Sequence, residues 1–87
     1  MSKIPYRVLE KMVDDTLQLI PRGSRWRHYK GSEYTISDIV IIETTNELAV
    51  VYTPIDHPSV SFVRALPVWQ ETVNWQNQAA SRFTKIV

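Results

Sequence analysis

The sequence predicts a mainly β domain with one N-terminal α-helix, built as a small antiparallel five-stranded barrel. Apolar residues recur at three- and four-residue spacing only near the N-terminus, whereas beyond Arg25 they recur at every second position. The length of 87 residues admits one hydrophobic core. The expected organisation is therefore a single domain over residues 1–87, with an amphipathic helix at 5–20 packed on a β domain at 23–87.

Within the helical stretch, Leu9, Met12, Val13, Leu17 and Ile20 form one stripe, with Glu10, Lys11, Asp14 and Gln18 mostly on the other side. Pro5 suits an early helical position, with Ser2 or Lys3 expected just outside it. Pro21 lacks an amide donor and Gly23 admits turn geometry, so the helix stops there.

The segment Arg25 to Tyr34 packs basic, aromatic and hydrogen-bonding side chains into ten residues and leads into a long β-prone run. Read as a first hairpin, it turns Trp26 toward the core and leaves Arg25 and Arg27 exposed. In the next strand Tyr34, Ile36, Val40 and Ile42 share one parity. Asp38 interrupts that face, and burying a carboxylate is expensive. A bulge, an edge position or a local rotation is therefore expected to bring it to water. Thr44-Thr45-Asn46 reverses the chain into a strand whose Leu48, Val50 and Tyr52 define one face. Pro54 and Pro58 bound a loop, Val60, Phe62 and Arg64 alternate again, and Leu66-Pro67-Val68-Trp69 makes one helical turn. Thr72 to Trp75 and Arg82 to Val87 give the last strands, with a polar connection between them. Phe62, Trp69, Trp75 and Phe83 are assigned to the core, because a domain this small needs their burial area.

Composition narrows the chemistry. With no cysteine, disulfides and thiol catalysis are excluded, which fits a reducing compartment. The N-terminus lacks a signal-peptide apolar core and no apolar run approaches membrane-spanning length, so a cytoplasmic protein without a membrane partner is expected. Ten Lys and Arg against nine Asp and Glu leave a net charge of +1, too balanced to demand a polyanion. No phosphate-loop glycines and no metal-ligand spacing occur, so neither a cofactor nor a metal is expected.

The candidate ligand-binding residues are Arg25, Arg27, His28, Tyr29, Lys30, Glu33 and Arg64. Paired guanidinium donors suit carboxylate or phosphate, Lys30 adds a less directional charge, and Tyr29 offers a stacking face. His28 supplies a hydrogen bond, and Glu33 approaches it if Lys30-Gly31-Ser32 reverses the chain. Arg64 either joins the basic surface from the barrel rim or bonds carbonyls released by the Ala65-Leu66-Pro67 turn. The order Asp56, His57, Ser59 resembles a hydrolytic set in residue type, but neighbours in one loop provide no oxyanion site.

The strings Arg27-His28-Tyr29-Lys30-Gly31, Glu33-Tyr34, Leu48-Ala49-Val50-Val51-Tyr52 and Val63-Arg64-Ala65-Leu66 carry a family resemblance. Glu71-Thr72-Val73 and Arg82-Phe83 continue it in the same order. The chain resembles a bacterial domain-of-unknown-function family, number 1653, over about residues 23–86, with the N-terminal helix as an added segment. Trp26 stands where tyrosine is common, Ala65 interrupts an Arg-Pro-Leu pattern, and Trp69 replaces a phenylalanine. The resemblance implies a compact, SH3-like β barrel and carries over no activity. The functional expectation is a noncatalytic recognition or adaptor module for a protein segment or small anionic ligand. The alternatives are a nucleic-acid-binding module and a small hydrolytic enzyme using His28 or His57.

Overall fold

A computed structural model describes residues 3–87, so Ser2 lies outside the described residues. Helix α1 (Tyr6–Leu19) follows Pro5 and is succeeded by strands β1 (Arg25–His28), β2 (Glu33–Ile42), β3 (Glu47–Pro54) and β4 (Phe62–Ala65). The one-turn helix α2 (Leu66–Trp69) comes next, then β5 (Thr72–Trp75), β6 (Gln78–Ser81) and β7 (Phe83–Lys85). Five strands form an antiparallel sheet in the order β4-β3-β2-β1-β7, while β5 and β6 make a separate hairpin.

The sheet is open, which corrects the expected SH3-like barrel. β4 and β7 are its two edges and do not pair with each other. Closure requires tilted strands in a continuous staggered register. Here the edge strands are only four and three residues long, and the apolar face is covered in another way. Val13, Leu17 and Ile20 from the α1 region and Leu66 and Trp69 from α2 pack over Ile36, Ile39, Val50, Tyr52 and Phe83. Helices laid on one face of an antiparallel sheet bury its apolar side without closure.

Asp38 does sit at a register irregularity, between Ile36 and Asp38. Its Oδ1 accepts from the Ile39 amide at 2.8 Å and from Arg22 Nε at 2.9 Å. The bulge also changes parity. Ile36 and Ile39 are both buried, so Ile39 takes the core face in place of the expected Val40. One extra residue in a strand moves every later side chain to the other face.

Local signals explain the remaining boundaries. After α1, Gly23 at φ 82° donates its N–H to the Ile36 carbonyl, fastening the linker to β2. Ser24 Oγ accepts from the Trp26 indole at 2.9 Å, which holds that ring against the core. The polar connection expected before the last strand contains a strand of its own, β6. Gln76 and Asn77 both have positive φ (54° and 65°), the geometry a two-residue hairpin turn needs. Of the four aromatic residues assigned to the core, Trp69 and Phe83 are buried, whereas Phe62 and Trp75 remain 45% and 38% exposed.

Ile20 is buried where α1 meets the sheet, so Ile20→Ala should cost about 2–5 kcal/mol in urea unfolding. Tyr6→Ala, at an exposed position one end of the same helix, should stay within about 0.5 kcal/mol of the parent. Equal effects of the two changes would contradict this placement of the helix.

Candidate functional site

Strand alternation divides the sequence-derived candidates between two faces. Arg25, Arg27 and Glu33 lie on the face away from the helices, where Arg27 Nη2 bonds Glu33 Oε2 at 3.0 Å across the β1–β2 ladder. Glu33 is therefore spent on Arg27 and does not orient His28. The same outer face carries a row of hydroxyls, with Thr53 Oγ1 at 2.9 Å from both Ser37 and Ser61.

His28 and Arg64 lie on the helix-covered face. His28 is paired with Phe83 in the β1–β7 ladder, and Arg64 is paired with buried Val50 in the β3–β4 ladder. Arg64 bonds a tyrosine hydroxyl in place of the carbonyls of the Ala65-Leu66-Pro67 turn. An arginine at an inward position delivers its charge to water, to an acceptor or to an aromatic face. Arg64 uses the last two: Nε donates to the Tyr52 hydroxyl at 3.1 Å, and the guanidinium carbon sits 5.3 Å from the centre of the Phe83 ring. Among the described residues no carboxylate pairs with it, unlike Arg22, Arg27 and Arg82, which bond Asp38, Glu33 and Glu71.

Aromatic rings surround the pair. The Phe83 ring stacks on Trp69 with centroids 3.6 Å apart and meets the edges of His28 and Tyr52 at 5.1 and 5.6 Å. Tyr34 stands edge-on to Tyr52, and Phe62 is tilted against the same ring at 5.8 Å. Tyr29 lies along His28 and meets Trp75 of the β5–β6 hairpin edge-on at 5.2 Å. Lys30 extends over Tyr29, its ammonium 5.8 Å from the ring centre. Four of the seven candidates, His28, Tyr29, Lys30 and Arg64, thus reach one area or its margin, while Arg25, Arg27 and Glu33 do not; within β1 the two-residue period of the strand sets this division.

The backbone N–H of Lys30 donates to His28 Nδ1 at 3.2 Å. The neutral imidazole therefore carries its proton on Nε2. Burial lowers the His28 pKa from its usual 6.5, and the nearby charges of Arg64, Arg82 and Lys30 lower it further. At neutral pH this residue is an uncharged donor.

Sequence reasoning missed the contribution of Tyr34, Tyr52, Phe62 and Phe83 to this area. Their alternation marked them as inward-facing, but only the ladder pairings bring them beside His28 and Arg64. In the β3–β4 loop Asp56, His57 and Ser59 are all exposed.

A family model described as "Protein of unknown function (DUF1653)" matches residues 24–85. The chain belongs to the DUF1653 family. It is similar to a solved structure titled as a protein of that family from Bordetella bronchiseptica, with 31% identity and a TM-score of 0.66. The likeness covers 80% of this chain and 91% of that one. No curated protein matches. Both His28 and Arg64 fall inside the DUF1653 segment, as do all the aromatic residues around them, while α1 precedes it. Among the described residues no helix is long and apolar enough to cross a membrane.

Because the folded-state pKa of His28 lies below its unfolded value, the unfolded chain binds this proton more readily. The His28 contribution to stability is thus complete above about pH 6.5 and is lost as pH falls from there through the lowered value. Urea unfolding across that window should show a steeper loss of stability for the parent DUF1653 domain than for His28→Gln. Parallel profiles would contradict the burial assigned to this ring.

Proposed function

We propose that this DUF1653 protein is a noncatalytic recognition or adaptor module that binds an anionic group, on a small ligand or a protein segment, at the His28–Arg64 area. The reading rests chiefly on one observation. Arg64 is half-buried, held by Tyr52 and Phe83, and has no carboxylate partner among the described residues. A positioned guanidinium with unused N–H groups is a receptor for an anion, and an external anion supplies the missing charge. His28 adds a neutral N–H donor beside it.

The alternatives receive less support. A nucleic-acid track needs consecutive basic groups, but here Arg25 and Arg64 lie on opposite faces and Arg22, Arg27 and Arg82 are paired with acids. Hydrolysis needs a base with an orienting partner, and His28 has Arg64 and Phe83 beside it in place of Glu33. The cysteine-free composition fits a cytoplasmic setting.

Titration of isotope-labelled protein with acetate, inorganic phosphate and a mixed nucleic-acid pool tests the proposal. Small anions should shift the resonances of His28 and Arg64, and Arg64→Gln should weaken that response about tenfold or more, the value of a charge-assisted hydrogen bond of about 1.5–3 kcal/mol. The double change Arg25→Gln and Arg27→Gln should leave it intact. A response confined to Arg25 and Arg27, or none at any anion concentration, would refute the assignment.

A further inference from the structure

We infer that the occupant of the His28–Arg64 area is a monocarboxylate attached to an aromatic or other flat apolar group. This inference rests on the anion-binding reading above and specifies its ligand. Three features of the geometry lead to it.

The first is the shape of the remaining donor edge. Nε of Arg64 is used by the Tyr52 hydroxyl, and Phe83 supports the guanidinium from one side. What is left is the terminal pair of nitrogens, two parallel donors that match the two oxygens of a carboxylate. His28 contributes a single further N–H through Nε2, because Nδ1 is already an acceptor for the Lys30 amide.

Local charge is the second feature. Arg82 approaches this area, but its Nη2 donates to Glu71 Oε1 at 2.8 Å, so it already has an acidic partner. Lys30 is exposed and leans over Tyr29, outside the ring cluster on Phe83. Arg64 is the one unneutralised cation held against Phe83 among the described residues. A singly charged ligand balances it. A phosphate dianion would bring a second negative charge to a place where the other cations near His28, Arg82 and Lys30, are respectively paired with Glu71 and exposed to solvent, and an incompletely compensated charge is costly there.

The third is the composition of the rim. Phe62 lies two residues before Arg64 on the same face of β4, and Trp75 flanks the His28–Tyr29 pair. Both remain substantially exposed, whereas Tyr52, Trp69 and Phe83 are buried. They are suited to cover the apolar body that carries the carboxylate.

The test compares ligands on the unmodified protein first, which keeps it independent of any folding defect. The probes are benzoate, phenyl phosphate, and a tetrapeptide ending in phenylalanine as its free acid and as its amide, each followed by tryptophan fluorescence and by the His28 and Arg64 resonances. The inference expects benzoate or the free-acid peptide to bind at least tenfold more tightly than the amide, and phenyl phosphate to bind no better than benzoate. Binding of benzoate with indifference between the two peptides identifies a free small acid as the source. Preference for the free-acid peptide over benzoate identifies a chain terminus. Arg64→Lys, which keeps the charge and loses the paired donors, should lose most of the affinity, whereas Arg25→Gln should not. Phenyl phosphate binding tenfold more tightly at the same resonances would overturn the monocarboxylate while the anion site stood. No response to any probe, or affinity unchanged by Arg64→Gln, would overturn both.

Discussion

The Phe83 ring is the contact on which the rest of this domain depends. It enters from the shortest strand, near the C-terminal end, and its two faces and edges serve different neighbours. Trp69 stacks flat against it, which anchors α2 to the sheet. Tyr52 meets it from the interior strand β3, and His28 from the adjacent strand β1, so one side chain on an edge strand reaches across the sheet. The Arg64 guanidinium lies over the same ring. Aromatic pairs are worth about 0.5–1.5 kcal/mol beyond their buried area, and a cation over a ring about 0.5–2 kcal/mol. The core and the candidate site are consequently a single structure and not a scaffold with a site added to it.

This arrangement explains how an open sheet is sufficient. A five-stranded sheet with uncovered apolar faces would not be stable in water, and the chain covers one face with α1, α2 and the Phe83 cluster. The helix α1 lies outside the residues matched to the DUF1653 family, yet its Val13 and Leu17 pack on the same core as the matched segment. The outer face is left to hydroxyls and to the Arg27–Glu33 pair, an exposed ion pair of small energetic value that suits a solvated surface.

Much of this was legible in the residues. The 3–4 spacing from Leu9 to Ile20, followed by Pro21 and Gly23, marks α1 nearly to the residue. Pro67 marks the turn of α2, and alternation puts Trp26 inside and Arg25 outside. Closure into a barrel was not legible, because a two-residue period specifies which face is apolar and not what covers it. The bulge at Asp38 was foreseeable from the cost of burying a carboxylate. Its effect on Ile39 and Val40 was not, since parity after a bulge depends on where the extra residue falls. Strand β6 escaped notice because Gln76-Asn77 lacks the glycine that usually announces such a turn. The destination of Arg64 depends on a partner ring 19 residues away in the chain (83 − 64), a distance that local pattern does not encode.

The central claim is that Phe83 fixes Arg64 as well as the core, and a double-mutant cycle measures that coupling directly. Phe83→Leu, Arg64→Met and the double variant would be compared with the parent by urea unfolding. If the ring holds the guanidinium, the double variant should be more stable than the sum of the single losses implies, by at least about 0.5 kcal/mol. Losses that add to within about 0.3 kcal/mol would mean that the two side chains are independent, and that Arg64 is not positioned by the core.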